Sequence, residues 1–188
     1  MPSSRVQRLS SFVADQIAAG EVVERPASIV KELVENSLDA DATNIEVRSV
    51  AGGVESLWVR DNGTGIHQDD LALAVERHAT SKIQQAEDLM GVGSLGFRGE
   101  ALASVASVSR FKISSAQPDT DSGWYLESHG GRQIGAGPIA HNQGTSVEVW
   151  DLFYNTPARR KFLKAERTEN QKIDQTLRRL SLAHMDVG

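Results

Sequence analysis

The sequence predicts an α+β fold in which several helices share one face of a single sheet. Two strand patterns flank Gly52-Gly53 and so predict an early hairpin, and four more strand patterns follow later in the chain. Strand–helix–strand alternation is not sustained, which argues against a doubly wound parallel sheet. A length of 188 residues suits one domain with a single core. We therefore expect a two-layer sandwich of sheet and helices.

The order of elements follows from local patterns. Pro26 suits the first turn of a helix, and Ile45 and Val47 alternate as in a strand. Leu71 and Val75 have helical spacing. The predicted elements are a helix over 26–39, strands over 44–50 and 54–60, a loop over 61–65, a helix over 68–79, a mobile loop over 80–97, a helix over 99–105, strands over 110–115, 123–128, 132–134 and 145–150, and helices over 157–164 and 168–184.

Composition excludes several classes of protein. The chain has no cysteine, which removes disulfides, thiolate catalysis and Cys-ligated metal sites. No apolar run approaches the roughly 20 residues of a membrane-spanning helix, and the first ten residues lack the apolar stretch of a secretory signal. The five histidines have no metal-ligand spacing. An intracellular protein without a membrane partner is expected.

The first predicted helix has a polar stripe formed by Glu32, Asn36 and Asp39. Such a stripe is usually a solvated helix face. Asn36, however, is a poor helix former in the middle of a helix. A carboxylate one turn before a carboxamide can combine a general base with a magnesium ligand, so both interpretations stay open from the helix alone.

Two glycine-rich segments could contact a ligand. In Asp61-x-Gly63-x-Gly65 the glycines allow close approach of a backbone, and the Asp can accept a hydrogen bond from an exocyclic amine. Residues 93–102 lead three glycines into a helix start, which favours an anion. An ordinary turn and a flexible hinge are the alternatives for these two segments. Gly144-Thr145 is uninformative in isolation.

Basic residues are concentrated near the end of the chain. Residues 151–188 carry 8 basic and 5 acidic side chains, whereas the whole chain has a net charge of −5. A solvated helix face explains this cluster, and so does a contact with nucleic acid or a partner. The acidic remainder argues against a protein that simply coats DNA. The candidate contact residues are Arg159, Arg160, Lys161 and Lys164.

Taken together and in this order, these segments resemble the four motifs of the ATPase superfamily shared by gyrase, the large ATP-dependent heat-shock chaperone, histidine kinases and the MutL family of DNA mismatch-repair proteins. Within it the chain resembles the MutL family. A histidine kinase fits poorly, since no helical hairpin with a phospho-accepting His can precede Pro26. The strings Gly-Phe-Arg-Gly-Glu-Ala-Leu and Asn-Thr-Pro-Ala-Arg-Arg-Lys-Phe are the most specific, within matching residues 16–23, 26–40, 61–66, 77–82, 95–103 and 151–162.

The resemblance implies a Bergerat-type ATP-binding fold with a mixed, mostly antiparallel sheet, and a Mg²⁺-dependent ATPase. Glu32 would be the general base that activates water, Asn36 the Mg²⁺ ligand, and Asp61 the residue that reads adenine. Asp41 stands where this family commonly has a Gly, outside the ATP motifs. The implied nucleotide-binding residues are Asn36, Asp39, Ala40, Asp61, Gly63, Gly65, Ile66, Thr80, Ser81, Lys82, Gly96, Phe97, Arg98, Gly99, Glu100, Ala101, Leu102 and Thr145.

For the protein as a whole, the resemblance implies that residues 1–188 are the N-terminal ATPase domain of a longer, cytoplasmic, nucleoid-associated protein. A second domain, with a Lys for the γ-phosphate, and a C-terminal dimerisation domain would follow. Hydrolysis by these residues alone would then be weak, and the fragment would be a monomer that dimerises with ATP only at full length. The implied partners are a mismatch-recognition protein, a repair helicase, an endonuclease and, weakly, DNA. The alternative is a DNA- or partner-binding module with negligible hydrolysis.

Overall fold

The computed structural model describes residues 17, 19–20, 22–77, 79 and 99–188. In this part of the chain six strands form one sheet, and the buried side of that sheet packs against helices. No helix among these residues is long and apolar enough to cross a membrane. The elements are α1 (Pro26–Asp39), β1 (Ile45–Val50), β2 (Ser56–Asp61), α2 (Leu71–Ala74), α3 (Ala101–Ser107), β3 (Arg110–Ala116), β4 (Gly123–His129), β5 (Arg132–Ile139), β6 (Gly144–Trp150), α4 (Pro157–Arg160) and α5 (Glu166–Ala183).

The strand order is β1-β2-β6-β3-β4-β5. Each of the five neighbouring pairs in this order is antiparallel. β6 occupies the centre, where Trp150 pairs with Ser56 of β2 on one side and with Arg110 of β3 on the other. β6, the last strand in the sequence, therefore joins the β1–β2 hairpin to β3, β4 and β5. The expected α+β fold with a mostly antiparallel sheet is confirmed.

The core lies between α1 and the central strands. In register across β2, β6 and β3, Leu57, Val149 and Phe111 form one buried row, and the next row, Val59–Val147–Ile113, lies beside it. Each large apolar side chain buried here contributes roughly 1.5–3 kcal/mol. Beyond these rows the residues are polar: Ser115 pairs with Thr145, whose backbone N–H donates to the carboxylate of Asp61. The apolar core thus ends at a row of hydrogen-bonding side chains.

The glycine corner between β1 and β2 packs against α1 and α5. Ala51, Gly52 and Gly53 all have positive φ, and they form a tight 3-10 turn. A Cβ on Gly52 would lie 2.8 Å from Cβ of Glu169, and one on Gly53 would lie 2.7 Å from Cβ of Pro26. Two glycines therefore allow α1 and α5 to pack directly against this corner.

Two predicted helices are shorter than the sequence pattern indicated. The segment predicted as one helix over 68–79 is a 3-10 turn at Gln68–Asp70 followed by α2, and α2 ends because Val75 and Glu76 donate to carbonyls three residues back instead of four. The segment 157–164 is helical only over α4, and it too closes with three-residue bonds. Backbone bonding at both helix ends has overridden the apolar spacing.

β5 differs in the other direction, because it extends to Ile139 where the sequence suggested an end at residue 134. Gly135 and Gly137 lie within this strand, opposite Glu127 and Tyr125. A glycine usually weakens a strand. Here the side chain of Tyr125 lies beside both glycines, and a Cβ on Gly135 or Gly137 would be 3.4 Å or 3.6 Å from it, an ordinary contact distance.

Candidate functional site

The carboxylate of Asp61 is buried and accepts three hydrogen bonds. Asp61 is the last residue of β2 and is 7 % exposed. Its Oδ1 accepts hydrogen bonds from the backbone N–H groups of Gly63 (2.9 Å) and Thr145 (3.1 Å). Its Oδ2 accepts one from the hydroxyl of Ser37 (2.9 Å). An ionised carboxylate offers about four acceptor positions, so three donors leave one for a ligand.

Ser37 was missed by the sequence analysis, although the pattern contained a signal. It is a polar residue on the apolar face of α1, and it is 3 % exposed. Its Oγ lies 2.9 Å from Asp61 Oδ2 and 3.0 Å from the carbonyl of Leu33. A buried hydroxyl on the core side of a helix needs a partner from elsewhere in the fold. Ser37 thereby connects α1 directly to the end of β2.

The polar row continues from Asp61 across β6 to β3. The hydroxyls of Thr145 and Ser115 lie 2.8 Å apart, and Ser115 Oγ also donates to the carbonyl of Gly144 (2.9 Å). The same Oγ accepts from the backbone N–H of Ile66 (2.8 Å). Asp61 and Ile66, predicted from one segment, and Thr145, predicted from another, therefore belong to one hydrogen-bonded cluster.

The loop after Asp61 is fixed from both sides. Asn62 Oδ1 accepts from the backbone N–H groups of Thr43 and Asn44, each at 2.9 Å, and the side chain of Gln143 donates to the carbonyl of Gly63 (3.1 Å). The N–H of Thr64 donates to the carbonyl of Ala40 (2.9 Å). These contacts anchor the loop to the end of α1 and to the start of β6. The positioning side chains Asn62 and Gln143 also escaped the sequence analysis.

Two glycines at this cluster are required by backbone conformation. Gly65 has φ +71° and Gly144 has φ +112°, a region that L side chains rarely adopt. A Cβ on Gly65 would collide with the carbonyl of Ala116, and one on Gly144 with the carbonyl of Asp61. The glycines of both motifs thus let the loop and β6 pass closely over their neighbours.

Glu32 and Asn36 lie one turn apart on α1, on the side away from the core, and both are half-buried. Lys31 Nζ lies 3.6 Å from Glu32 Oε1 and 2.7 Å from Glu35 Oε2. Partial burial alone would lower the pKa of Lys31, but its hydrogen bond to Glu35 and the charges of both glutamates outweigh this and raise that pKa. The ammonium group therefore stays charged beside Glu32. Asp39, one turn beyond Asn36, is also half-buried.

The segment predicted to cradle an anion is described only in part. Gly99 precedes α3, and the carbonyl of Glu100 accepts from the N–H of Ser104 (2.9 Å). Ala101 and Leu102 form the first turn of α3. The other predicted residues of this segment and of the 80–97 loop lie outside the described residues, namely Thr80, Ser81, Lys82, Gly96, Phe97 and Arg98.

The four basic residues near the end of the chain do not share one environment. Arg160, Lys161 and Lys164 are exposed. Arg159 is half-buried, and its Nη2 donates to the carbonyl of Ile17 (3.2 Å). Burial lowers the pKa of the Arg159 guanidinium. Three of the four side chains are thus presented to solvent, and the fourth is used inside the protein.

The arrangement places a buried hydrogen-bond acceptor, the Asp61 carboxylate, at one end of α1. The side-chain oxygens of Glu32 and Asn36, which could bind a cation, lie along the same helix. Among the described residues, no group of three or more His, Asp or Glu could hold a metal ion. A divalent cation at Glu32 and Asn36 would therefore need further ligands from a bound molecule or from water, as Mg²⁺ prefers. The site fits a ligand that has both an exocyclic amine and a metal-binding anionic group.

Comparison with known sequences decides the family. The profile of the histidine kinase-, DNA gyrase B- and HSP90-like ATPases matches residues 24–147, which include α1, the Asp61 loop and the start of β6. The chain belongs to this ATPase family. It is therefore an ATP-binding domain, and the Asp61 cluster lies within the matched region. The resemblance inferred from the motifs is confirmed.

Individual relatives within the ATPase family are similar over nearly the whole chain. The DNA mismatch repair proteins MutL of Pseudomonas entomophila and Pseudomonas putida are 60 % and 59 % identical over 186 residues. These residues are 98 % of this chain but 29 % of each relative, so the chain spans less than a third of their length.

Solved structures agree with the fold. The Aquifex aeolicus MutL ATPase domain complexed with ADP has a TM-score of 0.73 and 39 % identity, covering 88 % of this chain and 58 % of that one. The N-terminal domain of a DNA repair protein has a TM-score of 0.77 and 29 % identity, covering 93 % and 50 %. The six-stranded sheet with its helices is thus an arrangement found in MutL ATPase domains.

Proposed function

We propose that this chain is the Mg²⁺-dependent, slowly hydrolysing ATPase domain of a DNA mismatch-repair protein. One observation carries the proposal: a buried carboxylate, Asp61, is held by three donors at the end of the polar row and keeps one acceptor position for an exocyclic amine. The similarity to a MutL ATPase domain complexed with ADP supports the same assignment.

The chain's own residues divide the work along α1. Asp61 accepts a hydrogen bond from the exocyclic amine of adenine. Thr145 and the loop through Gly65 exclude water from that hydrogen bond. Glu32 removes a proton from the attacking water, and Lys31 nearby keeps its charge. Asn36 would supply an oxygen ligand for Mg²⁺, and the metal would neutralise phosphate charge when bound. Base and metal ligand lie one turn apart on the same helix, α1.

The remaining expectations belong to the longer protein. Residues 99–102 begin α3 on the phosphate side, and the residues of the 80–98 segment complete the cradle and the lid. ATP and Mg²⁺ order that lid and the N-terminal arm, and two such domains then pair as a homodimer. The partners of this cycle are a mismatch-recognition protein, a repair helicase, an endonuclease and DNA, in the cytoplasm near the nucleoid. A Lys from a second domain would raise the rate of hydrolysis.

Replacement of Glu32 by Gln tests the assignment. A general base acts mainly in the transition state, so E32Q should lower turnover about 10²–10⁴-fold and leave ADP affinity nearly unchanged. The matched control is E24Q, because Glu24 has a 78 % exposed side chain and, within the part of the chain that the structure describes, pairs with Arg25. Loss of ADP binding in E32Q with unchanged turnover per bound nucleotide would contradict the role of Glu32.

A second candidate function is a nucleic-acid contact at Arg160, Lys161 and Lys164. Their exposure on and just after α4 favours it. The affinity of such a contact for DNA falls steeply as ionic strength rises. The slope of the logarithm of that affinity against the logarithm of the salt concentration becomes smaller by about one for each phosphate contact removed. Charge removal at Lys161 should reduce that slope without changing ADP affinity. A slope equal to that of the unaltered protein would remove this function.

A further inference from the structure

We propose that Arg159 is a positioning residue of the ATPase site, which holds the helical turn of Ile17, Ala19 and Gly20 that precedes α1. Through the connecting segment, residues 151–160, it ties this turn to the end of α3. The proposal rests on the ATPase function proposed above, and it gives one of the candidate DNA-contact residues a role inside the domain.

The guanidinium of Arg159 occupies a space that a glycine leaves open. Its Nη2 donates to the carbonyl of Ile17 (3.2 Å). A Cβ on Gly20 would lie 2.7 Å from Cζ of Arg159 and still closer to Nη2. The turn and the guanidinium thus fit only because residue 20 has no side chain. Any larger residue there would displace Arg159.

The contact of Arg159 with Ile17 contributes little net stability. Nη1 of Arg159 is buried and has no hydrogen-bond partner among the described residues. A buried donor without a partner costs free energy, and a buried charge costs more unless it is paired. One hydrogen bond at 3.2 Å offsets little of this. A function in placing the turn accounts for the contact better than stabilisation does.

The far end of the connecting segment is anchored to α3. The backbone N–H of Phe153 donates to the carbonyl of Val108 (2.7 Å), and the side chain of Asn155 donates to the carbonyl of Ser107 (2.9 Å). Leu152 and Phe153 are 0 % and 1 % exposed, so this end cannot shift without disturbing the core. Arg159 therefore projects from a rigid base.

The near end leads into the helix that carries Glu32. Ala19 and Val23 are 0 % and 2 % exposed, and the N–H of Val23 donates to the carbonyl of Ala19 (2.7 Å). Pro26 begins α1 three residues later. A shift of this turn would be transmitted to the start of α1, and so to Glu32 in its second turn.

The adenine end of the site does not depend on this tie. Asp61 is held by Ser37 near the opposite end of α1, and the loop that follows is held by Asn62. Loss of the Arg159 contact should therefore move the base relative to the phosphates and leave adenine recognition intact. Displacements of about 1 Å at a reacting group can cost as much as 10²-fold in rate.

The test uses R159M and G20A in the intact protein, singly and together, with three measurements. These are kcat, ADP affinity and hydrogen exchange at the N–H of Val23. We expect each single variant to lower kcat about tenfold or more, to keep the Kd of ADP within about twofold, and to speed exchange at Val23. The double variant should be no worse than the poorer single one, because both remove the same contact.

Two further variants make the result interpretable. R159K retains a cation of similar length and should recover part of kcat. R178M is the control, since the Arg178 side chain is 76 % exposed and, among the residues the structure describes, pairs with Asp174 on α5, so its kcat should not change. Additive losses in the double variant, an equal loss of ADP affinity, or unchanged exchange at Val23 would each overturn the proposal. If the unaltered protein had no turnover, the proposed function would fail, while exchange at Val23 would still test the tie.

Discussion

Replacement of Asp61 by Asn is the sharpest test of the adenine pocket, because the structure predicts which atom changes. Oδ1 accepts from two backbone N–H groups and must remain an oxygen. The new amide nitrogen must therefore replace Oδ2, where Ser37 now donates. The Ser37 hydroxyl can turn to the carbonyl of Leu33 at 3.0 Å and accept from the new amide. The fold should survive with a small loss of stability.

Nucleotide binding should not survive to the same extent. The free acceptor position becomes a donor, which faces the exocyclic amine of adenine. A hydrogen bond to a charged group contributes about 1.5–3 kcal/mol, so its loss alone weakens ADP binding about 10- to 100-fold. Inosine diphosphate has a carbonyl in place of the amine, so D61N should favour it relative to ADP, whereas the unaltered protein should favour ADP.

Calorimetric titration of both nucleotides into both proteins completes a cycle with four affinities. We expect the ratio of the ADP affinity to the inosine diphosphate affinity to invert in D61N, or to fall by at least about tenfold. Thermal unfolding of D61N without ligand serves as the control for folding. An unchanged ratio in a folded variant would refute the assignment of Asp61 to the amine.

Three further outcomes are expected. N36A should weaken nucleotide binding in Mg²⁺ but not in EDTA, as measured by the same titration, since only the metal-dependent part uses Asn36. Burial, aided by the charge of Arg60, lowers the pKa of His141 below its ordinary 6.5, so the unfolded state binds a proton more readily than the folded state. The free energy of unfolding should therefore fall as pH drops below 6.5, and it should fall less in H141Q. Urea titration of both proteins at several pH values measures this. G144A should lower the urea midpoint and ADP affinity together, by about 1 kcal/mol or more in stability, because the new Cβ collides with the carbonyl of Asp61; an unchanged midpoint would show that β6 can move aside.

Much of the fold was predictable because local patterns and the sheet agree. Pro26 and the apolar spacing of α1 predicted its bounds, Pro26–Asp39, without error. The polar stripe with Glu32 and Asn36 followed from helical geometry, and the place of Asp61 from the strand before it, whereas the roles of these residues stay predictions. These features depend on residues close in sequence, which is where pattern arguments are strongest.

The rest of the site required three-dimensional information. Ser115 lies 49 residues from Ile66, and Gln143 lies 80 residues from Gly63, so no local pattern relates either pair. The inward orientation of Arg159 was equally invisible, because a run of basic residues is typical of an exposed face. A polar residue on the buried face of a helix, such as Ser37, was the one signal available for the missed residues.

The central position of β6 has a consequence for how the protein acquires its site during synthesis. Thr145 contacts Asp61 across 84 residues of sequence, and β6 must insert between β2 and β3. Such distant pairing is slow relative to local hairpin formation. When β1 and β2 have left the ribosome but β6 has not, Asp61 therefore lacks the hydrogen bond from the backbone N–H of Thr145. Under the proposed role of Asp61, ATP would bind a nascent chain only after β6 has emerged and paired with β2, so nucleotide binding would report that this pairing has formed.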